Sequence, residues 1–264
     1  MKILYVGDIM GEPGMQVVEK VLPDIISSEG CELIIAQAEN VTDGRGIVPE
    51  DYRRLQRAGI DFFTGGNWTL HRKEIYPMLA SPEEPIIRPA NYPADTPGLG
   101  HKVINKNGNS TLVISLLGSI VGKDADKTKE VPLKTVDSIL DMYKDKKIDA
   151  IVVNFHGDYS SEKVIIGHYL DGKVSASVGD HWHVPTADAR ILPKGTAHIS
   201  DVGMCGILNA SLGVSLSSVL PRWHDGVQTR NQLETAGPLQ FNAVLIDTND
   251  RNSSTSIKQI QKII

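Results

Sequence analysis

Apolar positions in the first quarter of the chain fall into two patterns, short continuous runs and repeats at helical spacing. Three short runs, residues 2–7, 33–38 and 61–64, are typical of buried strands. Between the first two runs, apolar residues recur at helical spacing over residues 17–25, which predicts a helix with Pro13 in its first turn. Strand and helix alternate, so the pattern predicts a parallel sheet, whose ligands gather at the carboxyl ends of the strands.

The remainder of the chain repeats these two patterns. The predicted strands lie at residues 101–105, 111–117, 150–155, 174–178, 191–199 and 241–246, and the predicted helices at residues 136–143 and 160–170. The Lys- and Asp-rich residues 122–129 are predicted to form a solvated loop, and the polar tail from Asn249 to be poorly ordered at its tip. No repeat or linker divides the chain, so we expect one domain over residues 1–264.

Polar side chains follow the ends of these strands. Two imidazoles, His181 and His183, come directly after the run 174–178, and strand alternation would send both to one side and Trp182 to the other. There Trp182 would pack against a neighbouring loop or stack on a base, and packing is the favoured alternative. Carboxylates, amides and a third histidine follow four earlier strands. The strand-end set is Asp8, Glu39, Asn40, Asn67, His156, His181 and His183. Because parallel strands end at the same edge of a sheet, we expect these side chains to lie together.

Two carboxylates, two amides and three imidazoles form a suitable ligand set for a pair of divalent or trivalent metal ions about 3.5–4 Å apart. Such a pair, bridged by a carboxylate and a hydroxide, stabilises charge on phosphoryl oxygens while the hydroxide attacks phosphorus in line. A structural zinc site would favour cysteines, so the set predicts a catalytic site. Asp180, which precedes His181, is placed to accept a hydrogen bond from one of the ligand histidines.

The net charge and the cysteine content limit which ligands and which cellular compartment we expect. A net charge of -5 argues against a protein that binds long nucleic acid through counterion release. Cys31 and Cys205 form neither a disulfide framework nor a CxxC motif, and no apolar run reaches the length of a signal core or a membrane span. We expect a cytoplasmic protein with a small nucleotide or other phosphate ester as its ligand, no membrane partner, and a homo-oligomeric assembly.

The order of the strand-end residues resembles the calcineurin-type metallophosphoesterases, in the variant that has Glu-Asn where most of that superfamily has a second aspartate motif. The matching elements are Gly7-Asp8, Glu39-Asn40, Gly66-Asn67, His156 and Gly179-x-His181-x-His183. Longer strings resemble the YmdB-like family of bacterial phosphodiesterases. Among them are residues 88–93 (RPANYP), 171–176 (DGKVSA), 191–197 (ILPKGTA) and 201–204 (DVGM). The resemblance covers nearly the whole chain and thins after about residue 205.

This resemblance implies a fold, a cofactor and a substrate. The fold would be α/β, a four-layer α/β/β/α sandwich of the metallophosphoesterase type. The cofactor would be a pair of iron or manganese ions, with zinc as a further candidate, and the substrate a cyclic nucleotide of the 2′,3′-cyclic AMP kind. Asp8 and Glu39 would bind the metals, at least one of them as a bridge; Asn40 and His183 would complete one ion's shell, and Asn67, His156 and His181 the other's.

One position departs from the family pattern. The family has a histidine after the Asn67 equivalent, as the general acid that protonates the leaving alkoxide, and this chain has Trp68. Indole has no proton to give at useful pH, and losing a general acid costs about 10²–10⁴-fold in rate. Trp68 is therefore a natural attenuation of catalysis, an engineered change, or a change that another residue compensates, with His71 as the candidate donor.

The sequence thus supports three functions. The first is a dinuclear phosphodiesterase that hydrolyses cyclic nucleotides with a metal-bridged hydroxide, at a rate reduced by Trp68. The second is a catalytically silent, metal-loaded regulator that binds nucleotides. The third is a nucleotide phosphomonoesterase, which would release inorganic phosphate where a diesterase leaves a nucleoside monophosphate.

Overall fold

The computed structural model describes residues 1–121 and 129–264, and its strands form two sheets. The loop predicted at residues 122–129 lies outside the described residues except for its last position. The strands are β1 (Lys2–Val6), β2 (Asp8–Ile9), β3 (Leu33–Gln37), β4 (Phe62–Thr64), β5 (His101–Lys106), β6 (Asn109–Leu117), β7 (Ala150–His156), β8 (Ala176–Asp180), β9 (Arg190–Ile191), β10 (Ala197–Ile199), β11 (Met204–Ile207), β12 (Leu239–Asp250) and β13 (Ser253–Ile263). A seven-stranded sheet has the order β2-β11-β12-β1-β3-β4, with β13 beside β12, and a six-stranded sheet has the order β5-β6-β7-β8-β10-β9.

The first sheet separates two cores. The helices of the described ranges are α1 (Gly11–Glu29), α2 (Pro49–Arg57), α3 (Tyr76–Ala80), α4 (Pro132–Met142), α5 (Ser160–Leu170) and α6 (Leu216–Asp225), with a short 3-10 helix at Lys73–Ile75. Leu4 and Val6 of β1 share a core with Val18 of α1. Ile3 and Tyr5 point the other way, into a core shared with β7 and β8 of the second sheet. Successive side chains of a strand point to opposite faces, so β1 serves both cores.

The second sheet is covered on its outer face by α4 and α5. Ile139 of α4 and Ile166 of α5 lie in one core with Leu112 and Val153 of the sheet. The layers therefore run helix, sheet, sheet, helix, and the expected four-layer α/β/β/α sandwich is confirmed. None of the helices in the described ranges is long and apolar enough to cross a membrane.

The strands that precede the strand-end residues run parallel to their neighbours. In the first sheet β1 pairs in parallel with β3, and β3 with β4; in the second sheet β6, β7, β8 and β10 pair in parallel. Val6 of β1 aligns with Ala36 of β3, and Ala36 with Phe63 of β4, so these three strands end at nearly the same level. His156 and Asp180 align at the ends of β7 and β8. Each sheet thus presents its carboxyl ends as one edge.

Two predictions about single elements are wrong. The tail from Asn249 contains the end of β12 and the whole of β13, which pairs with β12, and its tip is part of the sheet. Most of its polar side chains are exposed while Ile260 is buried, so its composition is that of a strand with one solvated face. The run 191–199, predicted as one strand, is split into β9 and β10 by a turn that includes Gly195, whose φ of +106° suits glycine.

Candidate metal centre

The structure brings the strand-end residues to the edge where the carboxyl ends of both sheets meet. Asp8 opens β2, Glu39 and Asn40 follow β3, Asn67 follows β4, His156 ends β7, and His181 and His183 follow β8. His181 is partly exposed and the other six residues are buried. The two sheets are in direct contact here, because His156 lies against Glu39 and Asn67. The predicted set therefore forms one cluster of polar side chains.

His156 is the centre of one half of this cluster. Its Nε2 lies 3.0 Å from Glu39 Oε1 and 2.9 Å from Asn67 Oδ1, and its ring packs against the His181 ring with centroids 4.4 Å apart. Glu39, His156 and His181 each offer a ligand atom, and these atoms lie within 4.8 Å of one another. An imidazole nitrogen beside two oxygen acceptors needs a proton or a cation to hold them together, so this half fits a metal ion.

Asp8 and His183 lie in the other half of the cluster. Asp8 Oδ2 accepts the His181 backbone N–H at 3.2 Å and lies 3.8 Å from His183 Nε2. Asp8 Oδ1 and Asn40 Oδ1 are buried and have no hydrogen-bond partner among the described residues. The Asn40 amide nitrogen donates to the Gly44 carbonyl at 3.2 Å, which leaves the amide oxygen for another donor or for a cation. A buried acceptor without a partner costs about 1–3 kcal/mol, and a bound metal ion would remove that cost.

Buried charges in the cluster shift one another's protonation. Burial and the neighbouring Asp180 carboxylate raise the pKa of Asp8 well above its ordinary value. Burial opposes the charged form of His156, but Glu39 and Asp180 outweigh it and raise the pKa of this imidazole well above its usual range. Burial lowers the pKa of His183 to about 4, so this ring is neutral and can act as a ligand. A bound cation would favour the deprotonated forms of Asp8 and His156 and so oppose both of these pKa shifts.

The Asp180 carboxylate orients His156. It accepts hydrogen bonds from His156 Nδ1–H at 2.6 Å, from the Tyr5 hydroxyl at 2.9 Å, and from the side-chain amides of Gln37 at 3.0 Å and Asn154 at 2.5 Å. The ligand histidine that bonds to this carboxylate is therefore His156 and not one of the adjacent pair. Sequence reasoning missed the other donors. Their signal is a polar residue inside an apolar strand, as Gln37 is in β3 and Asn154 in β7.

His181 and His183 lie beyond their strand, so the prediction that strand alternation positions them is wrong. β8 ends before them, and their φ values are +104° and +61°, in the left-handed region that residues with a side chain rarely adopt. A turn brings both to the cluster instead. His183 Nδ1–H donates to the Leu212 carbonyl at 3.2 Å. The indole N–H of Trp182 donates to the Asp158 carbonyl at 2.9 Å, so this ring packs on a neighbouring loop as predicted.

Trp68 adjoins the cluster through its backbone. Its N–H donates to Glu39 Oε2 at 2.9 Å. The Arg45 guanidinium lies 4.6 Å from the indole centroid, in cation–π contact. His71 is exposed, and its ring stands edge-on to the indole with centroids 5.3 Å apart. The backbone at position 68 is therefore held beside a candidate metal ligand, while the indole packs with Arg45 and His71.

The fold is of the metallophosphoesterase type, and the described residues include two groups of three side chains that could hold a metal ion. The chain belongs to the YmdB-like family, because the family profile described as YmdB-like protein matches residues 4–262. The family resemblance of the sequence motifs is thus confirmed over nearly the whole chain.

Individual relatives cover the chain from end to end or nearly so. A 2′,3′-cyclic-nucleotide 2′-phosphodiesterase from Bacillus subtilis (strain 168) is 35% identical over 251 residues, which cover 95% of this chain and 92% of the relative. The crystal structure of a novel phosphatase from Mycoplasma pneumoniae has a TM-score of 0.91 at 27% identity, over 100% of this chain and 93% of that one. A 5′-nucleotidase precursor from Thermus thermophilus has a TM-score of 0.59 at 12% identity, over 100% of this chain and 54% of that one, and shares the fold alone.

Proposed function

We propose that this protein is a dinuclear-metal phosphodiesterase that hydrolyses cyclic nucleotides of the 2′,3′-cyclic AMP kind. By family and fold the chain is a metal-dependent phosphoric ester hydrolase. The proposal adds that two metal ions are bound, that the bond cleaved is a phosphodiester, and that the substrate is a cyclic nucleotide. It is carried by the buried cluster in which Asp8 Oδ1 and Asn40 Oδ1 have no partner among the described residues and His156 Nε2 lies beside two oxygens. The name of the Bacillus subtilis relative supports the substrate class.

The donor atoms suit two ions. Asp8, Asn40 and His183 would hold one ion and Asn67, His156 and His181 the other, with the carboxylates of Asp8 and Glu39 both contributing to the pair. Mixed nitrogen and oxygen donors suit iron or manganese, and zinc is also compatible with them. When bound, such a pair supplies positive charge to phosphoryl oxygens and activates water as the nucleophile.

The protein's own part in this reaction is to orient the ligands. Asp180 holds the Nδ1 proton of His156, which leaves Nε2 as the ligand atom. The Trp68 backbone N–H holds one oxygen of Glu39. The Trp68 side chain has no proton to give to the leaving alkoxide. A five-membered cyclic phosphate is strained and demands less of its leaving group, so we propose that hydrolysis is slow and not absent.

Two alternatives have an observation in their favour. The missing proton donor at Trp68 favours a regulator that keeps its metals and binds a nucleotide without turnover. The name of the Mycoplasma pneumoniae structure, a phosphatase, favours a phosphomonoesterase. Product analysis separates the three functions, because a diesterase leaves a nucleoside monophosphate, a monoesterase releases inorganic phosphate, and a regulator leaves its ligand intact.

The test is hydrolysis of 2′,3′-cyclic AMP by manganese-reconstituted protein, run beside Trp68→His and Trp68→Phe. We expect the original chain and Trp68→Phe to turn over slowly and at similar rates, since neither side chain can donate a proton. Trp68→His should be faster by about 10²-fold, since a general acid contributes roughly 10²–10⁴-fold.

Other outcomes lead to other functions. If the original chain already matches Trp68→His, another donor protonates the leaving group, and His71→Ala is the next variant to measure. If Trp68→His alone is active, the chain is a silenced phosphodiesterase. If all three proteins bind metal and none hydrolyses the cyclic nucleotide, the assigned substrate is wrong, and release of phosphate from nucleoside monophosphates is the measurement that follows.

A further inference from the structure

Lys163 is a buried charge that the proposed reaction does not use. It lies on α5 with its side chain fully enclosed. Its ammonium group donates to the Asp180 carbonyl, to the Ser200 carbonyl at 3.1 Å and to the Asp201 carboxylate at 2.9 Å. All three N–H groups of the ammonium are therefore used. Because desolvation offsets most of the attraction in a buried ion pair, the pair is weak evidence for a role in stability alone.

The acceptors of Lys163 flank the turn that carries the histidine pair. Asp180 ends β8 immediately before the turn of residues 181–183. Asp201 reaches the middle of that turn, because its Oδ2 atom also accepts the Trp182 backbone N–H at 2.8 Å. The Lys163 ammonium lies 4.4 Å from the centroid of the Trp182 ring. Lys163 and Asp201 thus contact the turn at three places: the Asp180 carbonyl before it, the Trp182 backbone N–H and the Trp182 ring.

The same carboxylate reaches the other side of the metal centre. Asp201 Oδ1 accepts the Gly203 N–H at 2.9 Å, and the Gly203 carbonyl accepts the Asp8 N–H at 3.0 Å. Asp8 in turn accepts the His181 N–H through its side chain. A closed circuit of hydrogen bonds therefore runs from Asp201 through Gly203 and Asp8 to the histidine turn and back to Asp201.

The turn needs such support because its backbone is strained. His181 and His183 both have positive φ, and a residue with a side chain keeps that conformation only where its surroundings determine it. Trp182, between them, is held by Asp201 at its backbone and by the Asp158 carbonyl at its indole N–H. The ion pair of Lys163 and Asp201 therefore lies against the strained part of the chain, where it can support this conformation.

We infer that Lys163 and Asp201 are positioning residues of the metal centre, whose ion pair holds the strained turn so that His181 and His183 face the ions. The inference rests on the metal centre of the proposed function. It assigns a role to a helix that contributes no ligand.

The test compares two buried lysines. Lys163→Met removes the ammonium and keeps the apolar stem. Lys102→Met is the matched control, because Lys102 is also buried and its ammonium donates to the carbonyls of Ser81 and Glu84, at 2.7 Å each, on segments that carry none of the candidate ligands. Metal-free proteins are titrated with Mn²⁺ in a calorimeter, the coupling between bound ions is followed by electron paramagnetic resonance, and melting is followed by circular dichroism.

We expect Lys163→Met to lose Mn²⁺ affinity by about ten- to hundredfold and to lose the signal of coupled ions, while Lys102→Met stays within about twofold of the original affinity. The double variant Lys163→Met/Asp201→Asn has no unpaired buried charge, so it should regain melting temperature without regaining Mn²⁺ affinity. If Lys163→Met fails to fold, Asp201→Asn is measured in its place. The Asn amide has a single oxygen, so it can no longer accept from the backbone N–H groups of both Trp182 and Gly203 through separate oxygens. This variant should lose affinity in the same direction.

Three results would overturn the inference. Unchanged Mn²⁺ affinity in folded Lys163→Met or Asp201→Asn would show that the turn keeps its conformation without the ion pair. An equal loss in Lys102→Met would show that any buried-lysine change weakens binding. Recovery of affinity together with melting temperature in the double variant would make the pair a stabilising element only. If the original chain binds no Mn²⁺, iron or zinc, the proposed function itself fails, which is a different result from a variant-specific loss.

Discussion

Gly66 is the position at which one added methyl group tests the metal centre most directly. A Cβ atom on Gly66 would lie 2.2 Å from Glu39 Oε2 and 2.5 Å from His156 Nε2. The φ of Gly66 is outside the left-handed region, so alanine brings no backbone strain of its own. Carbon contacts are favourable at about 3.5–4.0 Å, so each of the two ligand atoms would have to move by about 1 Å.

The size of the effect follows from that displacement. A misplacement of about 1 Å can cost about 10²-fold in rate, and overpacking of a tight site costs about 1–3 kcal/mol of stability. Neither side chain can move freely, because the Trp68 N–H donates to Glu39 and His156 donates to Asp180. We expect Gly66→Ala to remain folded and to lose about 100-fold in hydrolysis of 2′,3′-cyclic AMP and at least about tenfold in Mn²⁺ affinity.

The assay measures hydrolysis, Mn²⁺ affinity and melting of Gly66→Ala beside Gly206→Ala. A Cβ on Gly206 would lie 3.4 Å from Met10 Cβ, which is an ordinary contact, and its φ is also outside the left-handed region. Gly206→Ala should match the original chain in rate and affinity. If Gly66→Ala keeps the original rate and affinity, Glu39 and His156 do not bind the ions in this arrangement, and the assigned centre is wrong.

Two further predictions concern buried side chains. His198 donates from Nδ1 to the Ser177 carbonyl at 3.1 Å, and burial lowers the pKa of its imidazole. The neutral ring therefore contributes stability above the unfolded-state pKa of about 6.5, and this stability is lost as the pH falls below that value. Urea unfolding of His198→Asn should depend less on pH than that of the original chain between about pH 6.5 and 5, and parallel curves would contradict this. Tyr5→Phe removes the hydroxyl that donates to Asp180 and is hydrogen-bonded to Thr64. The free energy of unfolding, measured with urea, should fall by about 1–3 kcal/mol. An unchanged value would mean that neither hydrogen bond stabilises the fold.

The positions of the candidate ligands could be predicted because the ends of strands can be recognised in the sequence. Apolar runs locate the strands, parallel order places their carboxyl ends at one edge, and polar residues after those runs stand out, as Asp8 does after β1 and Asn67 after β4. The motif strings resemble one family, and that resemblance implies the four layers. Periodicity alone would have given alternating strands and helices without the second sheet.

What the sequence could not supply are the partners of buried polar groups. Lys163 lies in a helix whose neighbouring positions are exposed or half-buried, and only the packed structure shows that its side chain enters the interior. The sequence places Asp180 beside His181, but the hydrogen bonds of its carboxylate reach His156, Tyr5 and Asn154 on other strands. The conformation of residues 181–183 was missed for the same reason, since a strained turn is determined by contacts distant in the chain.

The strand order of the first sheet has a consequence for biosynthesis. β12 lies between β1 and β11, and the Met1 amino group donates to the Thr248 carbonyl across 247 positions of the chain. β1 leaves the ribosome long before β12, so during translation the strand that precedes Asp8 lacks its antiparallel neighbour. Pairing over such a separation is slow. We therefore expect the metal ligands to come together late in folding, only after β12 has emerged and inserted into the sheet.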